Sequence, residues 1–214
     1  MSINLTFRPA RASDAVACAP LVFESGEHEF EFFLGVPAAR CIAFLEYSFA
    51  LSAGRFSWRR HEVAVDARGE IVAVLAAHDG RRILADDAHI VWALSRHFGL
   101  FRAVPMLLRG LVLETELPKP KRAQTLIAHC ATSEDVRGMG VFSALFKHAL
   151  RADVAAQRGL EVSERDIVLD VLVSNERAAS LYRRLGFVEL PRRKPRSARL
   201  PVALESVRMR FETH

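Results

Sequence analysis

Apolar and polar residues alternate over residues 3–8, a two-residue period that predicts a short strand ended by Pro9. Ser13 and Asp14 then offer a helix N-cap before an apolar stretch over 15–23, and a second helical stretch runs from about 37 to 51. Residues 62–66 and 70–76 flank Ala67-Arg68-Gly69, the pattern of a β-hairpin. Residues 86–116 have helical spacing with breaks near Gly99 and Pro105, and Lys119-Pro120-Lys121-Arg122 is a polar link. Beyond it the order is regular: a strand over 125–132, a loop over 133–140, a helix over 141–157, a strand over 166–173 and a helix over 175–185. Gly186 ends that helix, and strands over 187–190 and 202–211 close the chain. Strands interleaved with helices predict an α/β (α+β) fold, a sheet covered by helices on its faces. No composition break or internal repeat divides the chain, so residues 1–214 read as a single domain.

Composition narrows the class of protein. Half of the 214 residues are apolar, enough for a substantial core. Cys18, Cys41 and Cys130 are scattered and odd in number, which fits buried thiols in a reducing compartment rather than a disulfide set. The start of the chain turns polar within seven residues, and the most apolar stretch, 98–117, is interrupted by Arg102, Pro105 and Arg109. Neither pattern suits a leader or a membrane span, so a cytoplasmic protein with no membrane partner is expected. The net charge of +5 gathers in the basic run 192–199. No aromatic residue interleaves with that run for base stacking, so a solvated loop is expected, with phosphate attraction or a partner contact as the alternatives and nucleic-acid binding as the weakest reading. The eight histidines are dispersed without metal-ligand spacing, and no metal is expected.

Two segments carry chemistry. Arg137-Gly138-Met139-Gly140 lies between an apolar strand and an amphipathic helix. Glycines there permit tight turns and close backbone approach, and the first helical turn offers unpaired N–H groups, so the loop is suited to an anion such as a pyrophosphate. It is neither a Walker loop nor a dinucleotide fingerprint, because Ser143 stands where a third glycine would be. In the second segment Asn175 and Tyr182 are seven residues apart, two helical turns, with Ala178 and Ala179 between them. Small residues between two polar ones leave room along that face for an extended ligand.

Together VRGMGVFSALFKHAL and VLVSNERAASLYRRLGF resemble the core of the GNAT N-acetyltransferase superfamily. The resemblance is strongest over the last 90 or so residues and spans most of the chain. It implies a central mixed sheet of about six to seven strands flanked by helices, here with a helical insertion at about 79–120 before the fourth strand. Two features depart from the pattern: the length of that insertion, and Phe142 at the last glycine position of the phosphate loop. A register through Asp135, Gly138 and Gly140 restores both glycines but puts an acid where Gln or Arg is expected.

What the resemblance implies can be placed residue by residue. Acetyl-CoA is the co-substrate and an amine the acceptor. Cys130, Ala131 and Thr132 end the strand that pairs with the pantetheine arm. Arg137, Gly138, Met139, Gly140, Val141, Phe142 and Ser143 form the pyrophosphate loop. Asn175 contacts the cofactor arm, and Tyr182 sits near the thioester sulfur as general acid, or else only packs its ring at a helix end. A phenol of pKa about 10 is matched to a thiol leaving group of about 8.5 or above. Asp170 is the first candidate base, or a strand carboxylate paired elsewhere; His129 is the second, or a structural strand histidine, and ordered water could replace either. Glu24, Glu27, His28, Glu29 and Glu31 either draw a cationic amine or form a solvated surface. Phe98, Leu100, Phe101, Met106 and Leu107 of the insertion fit a lid over the acceptor or a homodimer interface. The alternative function is an acyl-CoA-binding sensor of the same fold without turnover, a reading that rests on Phe142.

Overall fold

The computed structural model describes residues 4–151, 166–192 and 197–212. Its strands are β1 (Thr6–Pro9), β2 (His61–Val65), β3 (Ile71–Asp79), β4 (Gln124–Thr132), β5 (Asp166–Leu172), β6 (Phe187–Glu189) and β7 (Ser206–Phe211). Its helices are α1 (Ala15–Glu24), α2 (Glu27–Leu34), α3 (Ala38–Ala50), α4 (Ile83–Phe98), α5 (Leu100–Leu113), α6 (Val141–Ala149) and α7 (Glu176–Arg184). The strands form one mixed sheet in the order β1-β2-β3-β4-β5-β7-β6, in which β4 and β5 run parallel and every other pair antiparallel.

Local chemistry sets several of these boundaries. In the β2–β3 hairpin the Asp66 carboxylate accepts from the N–H groups of Arg68 and Glu70, each at 2.9 Å, and Gly69 supplies a φ of 83°. Asp14 precedes α1 but does not cap it: its carboxylate accepts from Arg8 and from the Arg11 N–H. Helix α2 ends at Gly35 (φ 63°), where Arg109 of α5 donates to the carbonyls of Phe33 and Leu34 at 3.0 and 2.7 Å. That guanidinium lies 2.6 Å from where a Cβ on Gly35 would sit, so the contact that ties α5 to α2 requires glycine twice over.

The core lies on both faces of the sheet. On one face Phe23, Phe44, Phe49 and Leu94 of the helices α1 to α4 pack on Val63 and Val74; on the other Leu145, Phe146 and Tyr182 of α6 and α7 pack on Leu75, Ile127 and Leu169. The inserted helices are broken at Gly99 (φ 85°) alone, and α5 runs through Pro105. A proline this close to the helix start forfeits about one backbone hydrogen bond, which packing can offset. Phe98 and Met106 belong to the core and Leu107 packs against it, so of the residues expected in a lid or dimer face only Leu100 and Phe101 are exposed. The expected strand over 202–211 begins instead with a 3-10 turn, Val202–Leu204. The end of the expected helix over 141–157 falls outside the described residues. No single described helix is long and apolar enough to cross a membrane.

Two irregularities shape the middle of the sheet. Strands β4 and β5 pair only from Gln124 to Ile127 and from Asp166 to Leu169. Beyond that point β4 keeps its bonds to β3, and β5 keeps its bonds to β7, so the sheet forks. Within the fork β4 carries a bulge: Ala128 faces Ala76 and Ala131 faces Val74, three steps on one strand against two on the other. His129, inside the bulge, has a φ of 51°, the single positive value among the described non-glycine residues. Bulges re-aim side chains and interrupt strand pairing, and such backbone strain persists where its surroundings impose it.

Candidate active site

A cleft of about 890 Å³ opens where the fork separates the strands. Cys130, Ala131 and Thr132 of β4 form one wall, and Gly138, Gly140, Val141, Phe142 and Ser143 form the end of the cleft at the start of α6. Asn175, Ala178 and Tyr182 of α7 form the opposite wall, and Arg137 and Glu24 lie at the rim. Residues far apart in sequence thus meet as the motifs imply. Met139, Asp170 and the second candidate base, His129, are not among the residues that line the cleft.

The glycine loop has the makings of a phosphate cradle. Gly138 and Gly140 have φ values of 83° and 79°, and no atom lies within 4 Å of where a Cβ would be at either position. Glycine is therefore required there by backbone conformation, and the space above the loop is open. The first bond inside α6 runs from the Ala144 N–H to the Gly140 carbonyl at 3.0 Å. The N–H groups of Val141, Phe142 and Ser143 consequently have no partner within the helix and present its positive end to the cleft. Phe142 does not block this cradle. Its ring is buried, stacked on Phe146 at 6.4 Å and edge-on to Tyr182 at 6.1 Å, and so supports the helix from beneath.

Arg137 is committed elsewhere. It donates to the Thr132 carbonyl and to the carboxylates of Glu134 and Glu24, each at 2.9 Å, which ties the loop to the end of α1. Positive charge in the cleft comes also from Arg177 and Arg184, which were not singled out from the sequence. They lie seven residues apart on α7, the same two-turn spacing as Asn175 and Tyr182, and that periodicity was their available signal. Asn175 caps α7: its Oδ1 accepts from the Ala178 N–H at 3.0 Å, and its amide N–H groups remain as donors at the cleft wall.

Tyr182 and Cys130 both line the cleft, where each side chain influences the other's titration, and the Cys130 thiol donates to the Ala128 carbonyl at 3.6 Å. Burial pushes the Cys130 thiol up to about 12, against the opposing effect of Tyr182. Burial, reinforced by Cys130, also raises the Tyr182 phenol well above its ordinary value. Both groups are neutral at physiological pH. A protonated thiol is a poor nucleophile, so an acyl-cysteine route through Cys130 is disfavoured, whereas the phenol keeps the proton that a general acid needs.

Asp170 corrects an expectation. It sits opposite Arg208 in the β5–β7 pairing, and its two carboxylate oxygens accept from that guanidinium at 2.8 and 2.7 Å. Arg208 also reaches the Pro118 carbonyl. Burial raises the carboxyl above its usual range while Arg208 opposes the shift. The strand places this side chain in an ion pair behind the sheet's fork and not in the cleft, so the paired-carboxylate reading replaces the base. Glu24 and Glu27 of the acidic cluster do line the cleft, whereas His28, Glu29 and Glu31 do not. In the basic run, Arg192 is held by Glu116 and Glu205, and residues 193–196 lie outside the described residues. Among the described residues, no group of histidine, cysteine or acidic side chains is placed to hold a metal ion.

Comparison with known proteins bears on this geometry. The family model described as "Acetyltransferase (GNAT) family" matches residues 38–187. Among solved structures, an N-acetyltransferase from Staphylococcus aureus Mu50 superposes with a TM-score of 0.69 at 17% identity, covering 96% of this chain and 98% of that one. A histone acetyltransferase HPA2 and related acetyltransferase from Corynebacterium glutamicum ATCC 13032 gives 0.58 at 25% identity, covering 98% and 95%. A GCN5-related N-acetyltransferase from Kribbella flavida gives 0.51 at 18%, covering 98% of each. A search of curated proteins found no match.

Proposed function

Because the chain belongs to the acetyltransferase (GNAT) family, we propose that it moves an acetyl group from acetyl-CoA to a primary amine, of a small molecule or a protein, with Tyr182 as general acid. The observation that carries this reading is the buried, neutral Tyr182 phenol at the fork, in a cleft whose far end is an open helix N-terminus. The N–H groups at the start of α6 suit the pyrophosphate, and the cleft edge of β4 suits the pantetheine arm. The neutral amine nitrogen attacks the thioester carbonyl, the carbon–sulfur bond breaks, the Tyr182 proton passes to the departing thiolate, and the proton that nitrogen loses as the amide forms goes to solvent, from which the phenol regains one. Glu24 and Glu27 at the rim favour a cationic acceptor, which must lose a proton before it attacks. Phe142 is the feature that would favour a sensor without turnover, and its packing beneath the cradle removes that argument.

Thiol release from acetyl-CoA, followed with a panel of amines, tests the proposal. Wild-type protein is expected to release thiol only when an acceptor is present, and Tyr182→Phe to lower kcat by roughly 100-fold with little change in KM for acetyl-CoA. The raised phenol pKa sets the sign of the pH dependence: the donor form persists as pH rises, so Tyr182 contributes no alkaline loss of activity up to about pH 10. Tight CoA binding without amine-dependent release would contradict turnover, and an unchanged kcat in Tyr182→Phe would contradict the role of the phenol.

A further inference from the structure

The inserted helices carry more apolar surface than the core of one chain covers. On α5, Ala103 and Met106 are buried and Leu107 packs beside them. Phe101, Val104, Leu108 and Leu111 lie on the opposite side of the helix, and each is more than half exposed. Their steps of three, four and three residues keep the four in one stripe, and no charged residue interrupts it. Of the two arginines on α5, Arg109 is spent on the carbonyls of Phe33 and Leu34, and Arg102 lies off the stripe.

Helix α4 widens the surface. It joins α5 through Gly99 alone, and at the far end Asp87 of α4 and Glu114 just past α5 both hold the Lys119 ammonium, at 2.7 and 3.0 Å. Arg55 ties the same two carboxylates. The two helices therefore lie side by side as an antiparallel hairpin, and Leu84, Val91 and Trp92 of α4 are exposed as well. The exposed apolar side chains of the hairpin present roughly 800 Å², more than a soluble monomer usually leaves open and about what each partner of a standard interface buries.

We propose that this face is the contact between two copies of the chain, an assembly that does not depend on the chemistry of the cleft. A helix that is apolar on all sides is buried on all sides. A stripe stepping by three and four packs its knobs into the holes of an identical stripe, and a two-fold axis makes one stripe its own partner. Each chain carries a net charge of +5, and the uncharged stripe lets two copies join without burying any of it. A lipid surface fits this face less well. A helix lying on a membrane shows lipid an apolar face and water a charged one, whereas the side of α5 behind the stripe is filled by the protein's own core.

Sedimentation equilibrium of the full chain from about 1 to about 100 µM tests the proposal. Wild-type protein is expected to reach twice the 23.9 kDa of one chain within that range. Leu108→Glu puts a carboxylate from each copy into the seam and is expected to raise the dissociation constant at least about 100-fold. Phe101→Ser, a milder change, is expected to raise it at least about tenfold. Val202→Glu, at an exposed apolar position outside the hairpin, is expected to leave it within about twofold. All three side chains are exposed in a single chain, so below the dissociation constant the variants keep the wild-type fold, read by circular dichroism. A wild-type chain that stays monomeric at about 100 µM overturns the proposal, and so does a dimer that survives both Leu108→Glu and Phe101→Ser. Capture of a monomeric chain on phosphatidylserine vesicles, lost in Leu108→Glu, would assign the face to a membrane and overturn it equally.

Discussion

The thiol of Cys130 and the phenol of Tyr182 line a cleft where burial keeps both uncharged, and that neutrality decides what each can do. Asp170 shows how one contact reassigns a residue. In sequence it is a carboxylate five positions before Asn175, well placed for a base; in the fold the Arg208 guanidinium across β5–β7 takes both of its oxygens. Asp170→Asn is therefore expected to leave kcat per folded molecule within about threefold, yet to destabilise the protein by about 2–3 kcal/mol because Arg208 loses its counter-charge. Parallel kinetics and urea unfolding would measure the two effects; a kcat loss of 100-fold with unchanged stability would restore Asp170 as a base. The Asn175–Tyr182 pair was legible in advance because two helical turns are a local property. The partner of Asp170 was not, because Arg208 is 38 residues away and only strand pairing brings it near.

At the scale of elements, the start of α6 joins a glycine loop to a ligand-ready helix end. Gly140 is its N-cap in the left-handed region, with open space around the missing side chain. Gly140→Ala is expected to cost about 1–2 kcal/mol of stability through backbone strain and to weaken CoA binding, read by thermal unfolding and titration calorimetry. An alanine variant with wild-type stability and affinity would show that the left-handed turn is dispensable. The loop was visible in the sequence because glycine spacing encodes it. Phe142 was harder to place, since whether a side chain at that position fills the cradle or the core depends on Phe146 and Tyr182, one turn away and across α7. The β4 bulge had no sequence signal at all: nothing in Ala128-His129-Cys130 marks a positive φ, which the mismatched pairing with β3 imposes.

Across the whole molecule, the strands were legible from periodicity but helix α2 was not, and the insertion of β7 between β5 and β6 is a long-range pairing that no local pattern encodes. The same holds for the faces of α5. Met106 is buried in the core and Phe101 is 98% exposed, five residues along one apolar helix. Met106→Ala is expected to cost about 2–5 kcal/mol, and Phe101→Ala less than about 0.5 kcal/mol, in denaturant unfolding of the two variants; the reverse order would contradict the packing of α5 on α2. That packing, the fork and the glycine cradle converge on a single claim, acetyl transfer to nitrogen in the cleft between β4 and α7. Mass spectrometry of an amine acceptor incubated with isotope-labelled acetyl-CoA tests it most directly. A labelled acetyl group that resists hydroxylamine, formed by wild-type protein and strongly reduced in Tyr182→Phe, is the predicted result. An acceptor that stays unmodified while CoA binds, or a hydroxylamine-labile ester, would contradict it.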